Sequence, residues 1–283
     1  MKKHVLAALA ALAFTLAPAR AELPGSGTNA DPYRISSVND WNAFAADVGT
    51  GIASDACYRL DADIGPVTRM VGTNGHPFRG IFSGDGHTLT VAIESTDVWA
   101  APFCYIDGAT ISSLTVTGSV TSSGNHATGL VGACGASNPN VIRDCTVAVN
   151  VVADGTGYAG GIVGQGGDST LSLEGCVFCG SVSGFTAFAG GLLGWGSTMT
   201  LNIANCLVTG TFTPTGNGKY HPIACKFANR TVTATVTDAY YLNTLVPTAT
   251  GDNLVPSADG TPVSVTYHAI EWQRPVTAAD GNI

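Results

Sequence analysis

With 283 residues and a formal net charge of −8, the chain is ill suited to nucleic acid, which calls for a basic patch, and to electrostatic attachment to anionic lipid. Charged residues make up 11% and hydrophobic ones 45%, a balance that also excludes a disordered chain. The 36 glycines, with frequent Thr, Ser and Val, suit one elongated domain of strands and tight turns.

Lys2 and Lys3 open the chain, Val5 to Ala17 is an uncharged apolar run, and Ala19-Arg20-Ala21 places small residues at the spacing of a cleavage site. The run is short for a membrane span and ends at Pro18, so residues 1–21 read as a signal peptide. The mature chain would start near Glu22, and the expected location is secreted or at the cell surface, with the periplasm left open. Residues 22–95 read as an N-terminal cap and first coils. Ser37 and Asp40 fit a capping box, and Val38, Trp41, Phe44, Ala45 and Val48 share one face, which predicts a helix over 37–48 stopped by Gly49 and Gly51. Tyr58 to Ile64 alternates like a strand, and 78–91 reads as a strand, a Gly84-Asp85-Gly86 turn and a second strand.

A repeat occupies 96–243. Gly129-Leu130-Val131-Gly132, Gly161-Ile162-Val163-Gly164 and Gly191-Leu192-Leu193-Gly194, with the degraded copy Ala101-Pro102-Phe103-Cys104, recur at intervals of 28, 32 and 30 residues. A fixed period of this length belongs to a solenoid. Aligning the tetrapeptides reveals a column Leu114, Cys145, Cys176, Cys206, followed two residues on by Val116, Val147, Phe178, Val208 and six on by Val120, Val151, Val182, Phe212. That period of two implies strands in register. Ile111, Ile142, Leu173 and Ile203 lie three residues before the column, an odd offset that requires a bend. A fainter fifth copy starts at His221 and places Ala239 in the column. The expected fold is therefore all-β: a parallel β-helix of about five coils, each of ~30 residues, with the helix closing its open N-terminal end and a C-terminal cap over 244–283. Gly at both ends of each tetrapeptide suits a tight bend or close packing between coils.

The tetrapeptide, together with its lead-in, resembles the GLUG-motif repeats of bacterial exported proteins. The lead-in runs Gly27-Thr28, Asp31-Pro32-Tyr33-Arg34-Ile35, the helix, Tyr58 to Ile64, then Phe78 to Leu89, and the resemblance covers roughly 25–243. It implies a right-handed parallel β-helix outside a bacterial cell, with adhesive roles. In some IgA-cleaving metallopeptidases such repeats accompany a separate zinc protease domain. This chain has no His-Glu-x-x-His, so the resemblance does not carry that activity over.

Within this frame, Cys145, Cys176 and Cys206 are expected to be buried free thiols rather than a metal ladder or disulfides, because side chains stacked in register point the same way. Cys179, three past Cys176, should be exposed, while Cys57, Cys104, Cys134 and Cys225 remain open to pairing. His76, Asp85 and His87 are close enough in sequence to raise a metal site, but they flank a strong turn, and neither metal nor cofactor is expected. Between 110 and 235 the acids are Asp144, Asp154, Asp168 and Glu174, at differing repeat positions, so no row of paired carboxylates forms; Asp144 and Glu174, with Arg143, come nearest. An outward Thr array breaks after Thr115 and Thr117. Tyr158, Phe185, Phe188, Trp195 and Tyr220 fall between strands or just past a tetrapeptide, where exposed rings bind sugar faces or protein; Phe185 and Phe188 could instead cover a core edge. The expectation is a non-catalytic, exported binding or adhesion module for an extracellular glycan or a host or cell-surface protein. The alternatives are a carbohydrate-active β-helix enzyme (polysaccharide lyase or hydrolase) and a structural surface or matrix component.

Overall fold

The computed structural model describes residues 23–154, 157–227, 232–242, 244–245 and 268–270. The expected signal peptide, and most of the expected C-terminal cap with its prolines and Trp272, lie outside the described residues.

The described chain is an all-β parallel solenoid of about five turns with one short helix. Each coil contributes to three sheets. The first is a broad sheet of two arms. One arm runs through Thr110–Ser112, Asn140–Arg143 and Thr170–Glu174, the other through Thr88–Ser95, Thr115–Ser122 and Thr146–Ala153, and they meet in the long strand Met199–Val208. The second sheet stacks Trp99–Ala100, His126–Thr128, Tyr158–Gly160, Phe188–Gly190 and Lys219–His221. The third stacks Phe103–Ile106, Val131–Cys134, Val163–Gln165, Leu193–Gly196 and Ala224–Phe227. The pairings follow the aligned repeat: Val120, Val151, Val182 and Phe212 are register partners in turn, and Cys206 faces Ala239.

The bend required by the odd offset is a single residue with positive φ immediately before the cysteine column. It is Ser113 (52°), Asp144 (53°), Gly175 (61°), Asn205 (53°) and Asp238 (51°). Gly, Asn and Asp are the types that tolerate this left-handed conformation at least cost, and one such residue switches the parity of every side chain that follows. Backbone bonds tie the bends of successive coils together, Ser113 N to Arg143 O (3.1 Å), Asp144 N to Glu174 O (2.8 Å) and Gly175 N to Ala204 O (3.0 Å). Asp144 is thus a bend residue; its carboxylate lies 3.8 Å from Arg143 on the surface, and Glu174 faces Arg143 across the register.

The tetrapeptides form the corner between the second and third sheets. Their first glycines admit the neighbouring coil: a Cβ on Gly129 would strike Gly161 O, one on Gly161 would strike Gly191 O, and one on Gly191 would strike Pro222 O. Close coil packing, rather than an unusual dihedral angle, explains glycine at these positions.

Inside, Leu114, Cys145, Cys176, Cys206 and Ala239 are all buried. Each thiol donates to the carbonyl two residues back, Cys145 to Arg143 O (3.2 Å), Cys176 to Glu174 O and Cys206 to Ala204 O (both 3.3 Å). Interaction with the Cys176 sulfur, then burial, raises Cys145 and Cys206 above the ordinary thiol range. An apolar column stabilises no thiolate, and three weak S–H donors aimed at carbonyls hold it neutral. Cys57, Cys104, Cys134, Cys145, Cys176, Cys179 and Cys206 are free thiols, Cys179 is exposed, and the Cys225 thiol donates to Lys219 O at 3.5 Å.

The N-terminal end closes as the amphipathic pattern requires. The helix Val38–Gly49 starts on Ser37, whose side chain accepts from Asp40 N, while the Asp40 carboxylate accepts from Ser36 N (3.0 Å) rather than from Ser37. Trp41 and Phe44 are fully buried against Phe82 and Phe103, 5.1–6.3 Å between centroids across this cluster, and the Trp41 indole donates to Arg69 O at 2.8 Å. No helix among the described residues is long and apolar enough to cross a membrane.

Candidate functional site

Two outward rows converge on either side of the tetrapeptide corner. On the second sheet, Trp99, His126, Tyr158 and Phe188 are register partners in successive coils. The second and third of these strands align through Ala127 and Ala159, so His126 precedes Ala127 as Tyr158 precedes Ala159. Their rings form a continuous stack, Trp99–His126 at 6.3 Å and 17°, His126–Tyr158 at 5.5 Å and 4°, Tyr158–Phe188 at 5.9 Å and 24°. On the third sheet the corresponding row is Tyr105, Ala133, Gln165, Trp195. The rows meet where Trp99 packs on Tyr105 and Tyr158 on Trp195, each at 5.4 Å. The second glycine of the tetrapeptide makes this possible: a Cβ on Gly132 would lie 2.8 Å from the Trp99 Cβ. All these rings are half-buried, with one face or edge reaching solvent.

Polar contacts lock the stack. The Trp99 indole N–H donates to Gln165 Oε1 at 2.9 Å, two coils away. Tyr158 N donates to His126 Nδ1 at 2.7 Å, which leaves the imidazole proton on Nε2. Burial holds His126 below the ordinary histidine range and Tyr158 above the ordinary phenol range.

Beside the third-sheet row lies a cavity of about 320 Å³ lined by Tyr105, Ala133, Cys134, Ala136, Gln165, Gly167, Asp168, Trp195 and Ser197. Its rim is fixed. Asp107, buried, accepts from Ser137 N (2.9 Å) and Asn138 N (3.1 Å), while fully buried Asn140 accepts from Gly108 N (2.9 Å) and donates to Gly135 O (3.3 Å). Asp168 Oδ1 accepts from Thr198 N at 3.1 Å. Burial, then Asp107, pushes the Cys134 thiol up to about 12 and raises the Tyr105 phenol, so neither ionises near neutral pH. A second depression, about 440 Å³, is lined by Glu94, Ser95, Thr96, Asp97, Thr121 and Ser123 and contains no aromatic ring.

Of the five aromatics singled out from the sequence, Tyr158, Phe188 and Trp195 come together in this site. Phe185 does not: it is 0% exposed and belongs to the core, because Gly184, with φ of 79°, turns the chain inward there. Tyr220 is register partner to buried Ala189 and stacks on Phe212 at 4.7 Å and 7°, off the row. Trp99, Tyr105, His126 and Gln165 were missed, although they share columns with the residues chosen. Tyr105 and Gln165 stand four past their tetrapeptide starts, as Trp195 does, and His126 stands three before, as Tyr158 and Phe188 do. His76, Asp85 and His87 are not drawn together. His87 Nδ1 lies 3.2 Å from Asp63, Asp85 pairs with Arg59 at 3.8 Å, and among the described residues no three His, Cys, Asp or Glu side chains cluster to hold a metal ion. The threonine row starts one coil earlier than expected, Thr88–Thr115–Thr146 with Thr90 Oγ1 3.2 Å from Thr117 Oγ1, and ends at Val177.

No family model and no curated protein matches the chain. A solved structure does: a candidate immunoglobulin A1 protease from Bacteroides ovatus, at 17% identity and a TM-score of 0.55, over 87% of this chain and 86% of that one. At that identity the likeness establishes the shared β-solenoid and nothing finer.

Proposed function

We propose that the chain is an exported, non-catalytic binding or adhesion module of the GLUG-repeat kind, engaging an extracellular glycan or a cell-surface protein. The observation that supports this is the aromatic stack running across four coils. Half-exposed rings held face to face on a stiff scaffold offer apolar contact at little entropic cost on binding. The groups beside them are suited to contact rather than chemistry: the thiol and phenols nearby are held protonated, and among the described residues Asp168 is the one carboxylate lining the cavity. The Bacteroides ovatus protein's name raises proteolysis, but this chain carries no His-Glu-x-x-His. The test is retention of fluorescently labelled full chain on glycan-coated and cell-derived surfaces. Wild type should be retained and a Tyr158→Ala/Trp195→Ala double variant released, with polysaccharide and immunoglobulin A1 left uncut. Equal retention of the two, or cleavage of either polymer, would overturn the reading.

A further inference from the structure

The groove beside the stack narrows the class of ligand. Resting on the binding reading above, we infer that this groove is a subsite for an uncharged glycan chain lying along the solenoid axis. Tyr105 and Trp195 close its two ends in one outward row, three strand spacings apart. At about 4.8 Å per strand they stand roughly 14 Å apart along the axis, a span for several sugar rings rather than one. Between them Ala133 contributes only a methyl group, which opens the floor of the cavity.

The polar groups match sugar hydroxyls. An indole N–H only donates, so the Trp99 bond fixes the Gln165 amide with its oxygen toward Trp99 and leaves the NH₂ end for a ligand acceptor. Asp168 uses one carboxylate oxygen on Thr198 N and has the other for a hydroxyl donor. An amide donor and a carboxylate acceptor beside two aromatic faces complement a pyranose ring, which presents C–H groups on its faces and hydroxyls at its edge. The charge decides between sugar classes. Among the described residues no lysine or arginine side chain lines the cavity, exposed Asp168 stands in its wall, and the chain carries −8 overall, so uronate and sulfated chains meet repulsion there.

Calorimetric titration of the full chain with hexasaccharides of glucose, mannose and N-acetylglucosamine, and with hexagalacturonate, tests this. At least one neutral chain should bind while hexagalacturonate does not. Trp195→Ala and Gln165→Leu should each weaken binding about tenfold or more with the melting temperature kept. Asp168→Asn should retain the neutral ligand and narrow the gap to hexagalacturonate, a shift that a folding defect does not produce. If Trp195→Ala fails to fold, Gln165→Leu and Asp168→Asn carry the test. Wild-type affinity for hexagalacturonate equal to that for the best neutral chain would overturn the inference. So would Tyr158→Ala abolishing binding that Trp195→Ala leaves intact, which places the ligand on the second sheet and leaves the binding function standing. Retention on cell surfaces with no affinity for any hexasaccharide would overturn the glycan assignment alone and identify a protein ligand.

Discussion

The molecule carries two ladders built at the same strand spacing, one facing in and one facing out. The inner ladder repeats nearly one side chain, Cys145, Cys176, Cys206, between Leu114 and Ala239, and each thiol finds the same carbonyl two residues back. The outer ladder repeats a shape but not a residue: Trp99, His126, Tyr158, Phe188, all flat rings in stacking contact. An interior packed at crystal-like density restricts each rung beside the bend to an apolar group of fitting volume. The outer rung needs only a planar group to continue the stack, so its chemistry is free to vary, and the variation is what a ligand would read.

Introducing the same charge on each ladder separates them most sharply. Cys176→Asp places an unpaired carboxylate where the thiol is fully buried and should cost about 3–5 kcal/mol, whereas Tyr158→Asp on the half-exposed rung should cost a fraction of that. Urea unfolding midpoints of the two variants check it; equal losses would mean that the outer row is core. Thiol labelling of the native chain should modify Cys179 and slowly Cys57, and reach the column only on unfolding.

Next in size is a dependence on pH. Burial lowers His221 to about 4, and it accepts from Ile223 N at 3.1 Å. The unfolded chain protonates this histidine near the ordinary 6.5, so between those values the unfolded state binds more protons. Stability is therefore full above about pH 6.5 and falls as pH drops toward 4, by roughly 3 kcal/mol in all. His126 acts in the same direction, because burial lowers it below the ordinary histidine range. Melting temperatures from pH 7.5 to 4 should decline, and His221→Gln should flatten most of the slope.

The inner ladder was legible in the sequence because repetition is what a solenoid core demands. The tetrapeptide period and the alternating Val columns located the strands, and the odd offset before the cysteines located the bend. The residue types at the bend, Ser113, Asp144, Gly175, Asn205 and Asp238, were visible too, yet they look unrelated until their shared positive φ is known. Asp144 and Glu174 consequently stood out as the nearest pair of acids, although one is a turn residue and the other faces Arg143. The outer ladder was half legible. Tyr158, Phe188 and Trp195 stood out as aromatic residues, but His126 and Gln165 share their repeat columns without sharing that chemistry, so residue type alone did not bring them out. Phe185 differed from Phe188 only in which way the backbone turns after Gly184.

Asp144→Val sharpens the comparison at the bend itself. A β-branched residue at φ of 53° should cost about 1–2 kcal/mol, while Asp144→Gly should be neutral or stabilising, since glycine already serves at position 175. Differential scanning calorimetry of the two variants reads the sign directly, and a catalytic role for Asp144 would instead make both equally inactive.

The smallest stability effect belongs to the rung most exposed to a ligand. Tyr158→Ala removes one ring that stacks on His126, Phe188 and Trp195, at a cost of about 1 kcal/mol or less, since its neighbours keep their own partners. The same change removes the ring that backs Trp195 beside the proposed groove, so surface retention should fall far more than the melting temperature. That divergence between binding and stability distinguishes an outer ladder kept for contact from one kept as a lid on the core. A parallel loss of both would assign the stack to folding, and the ligand would then have to be sought on a face of the solenoid that carries no aromatic row.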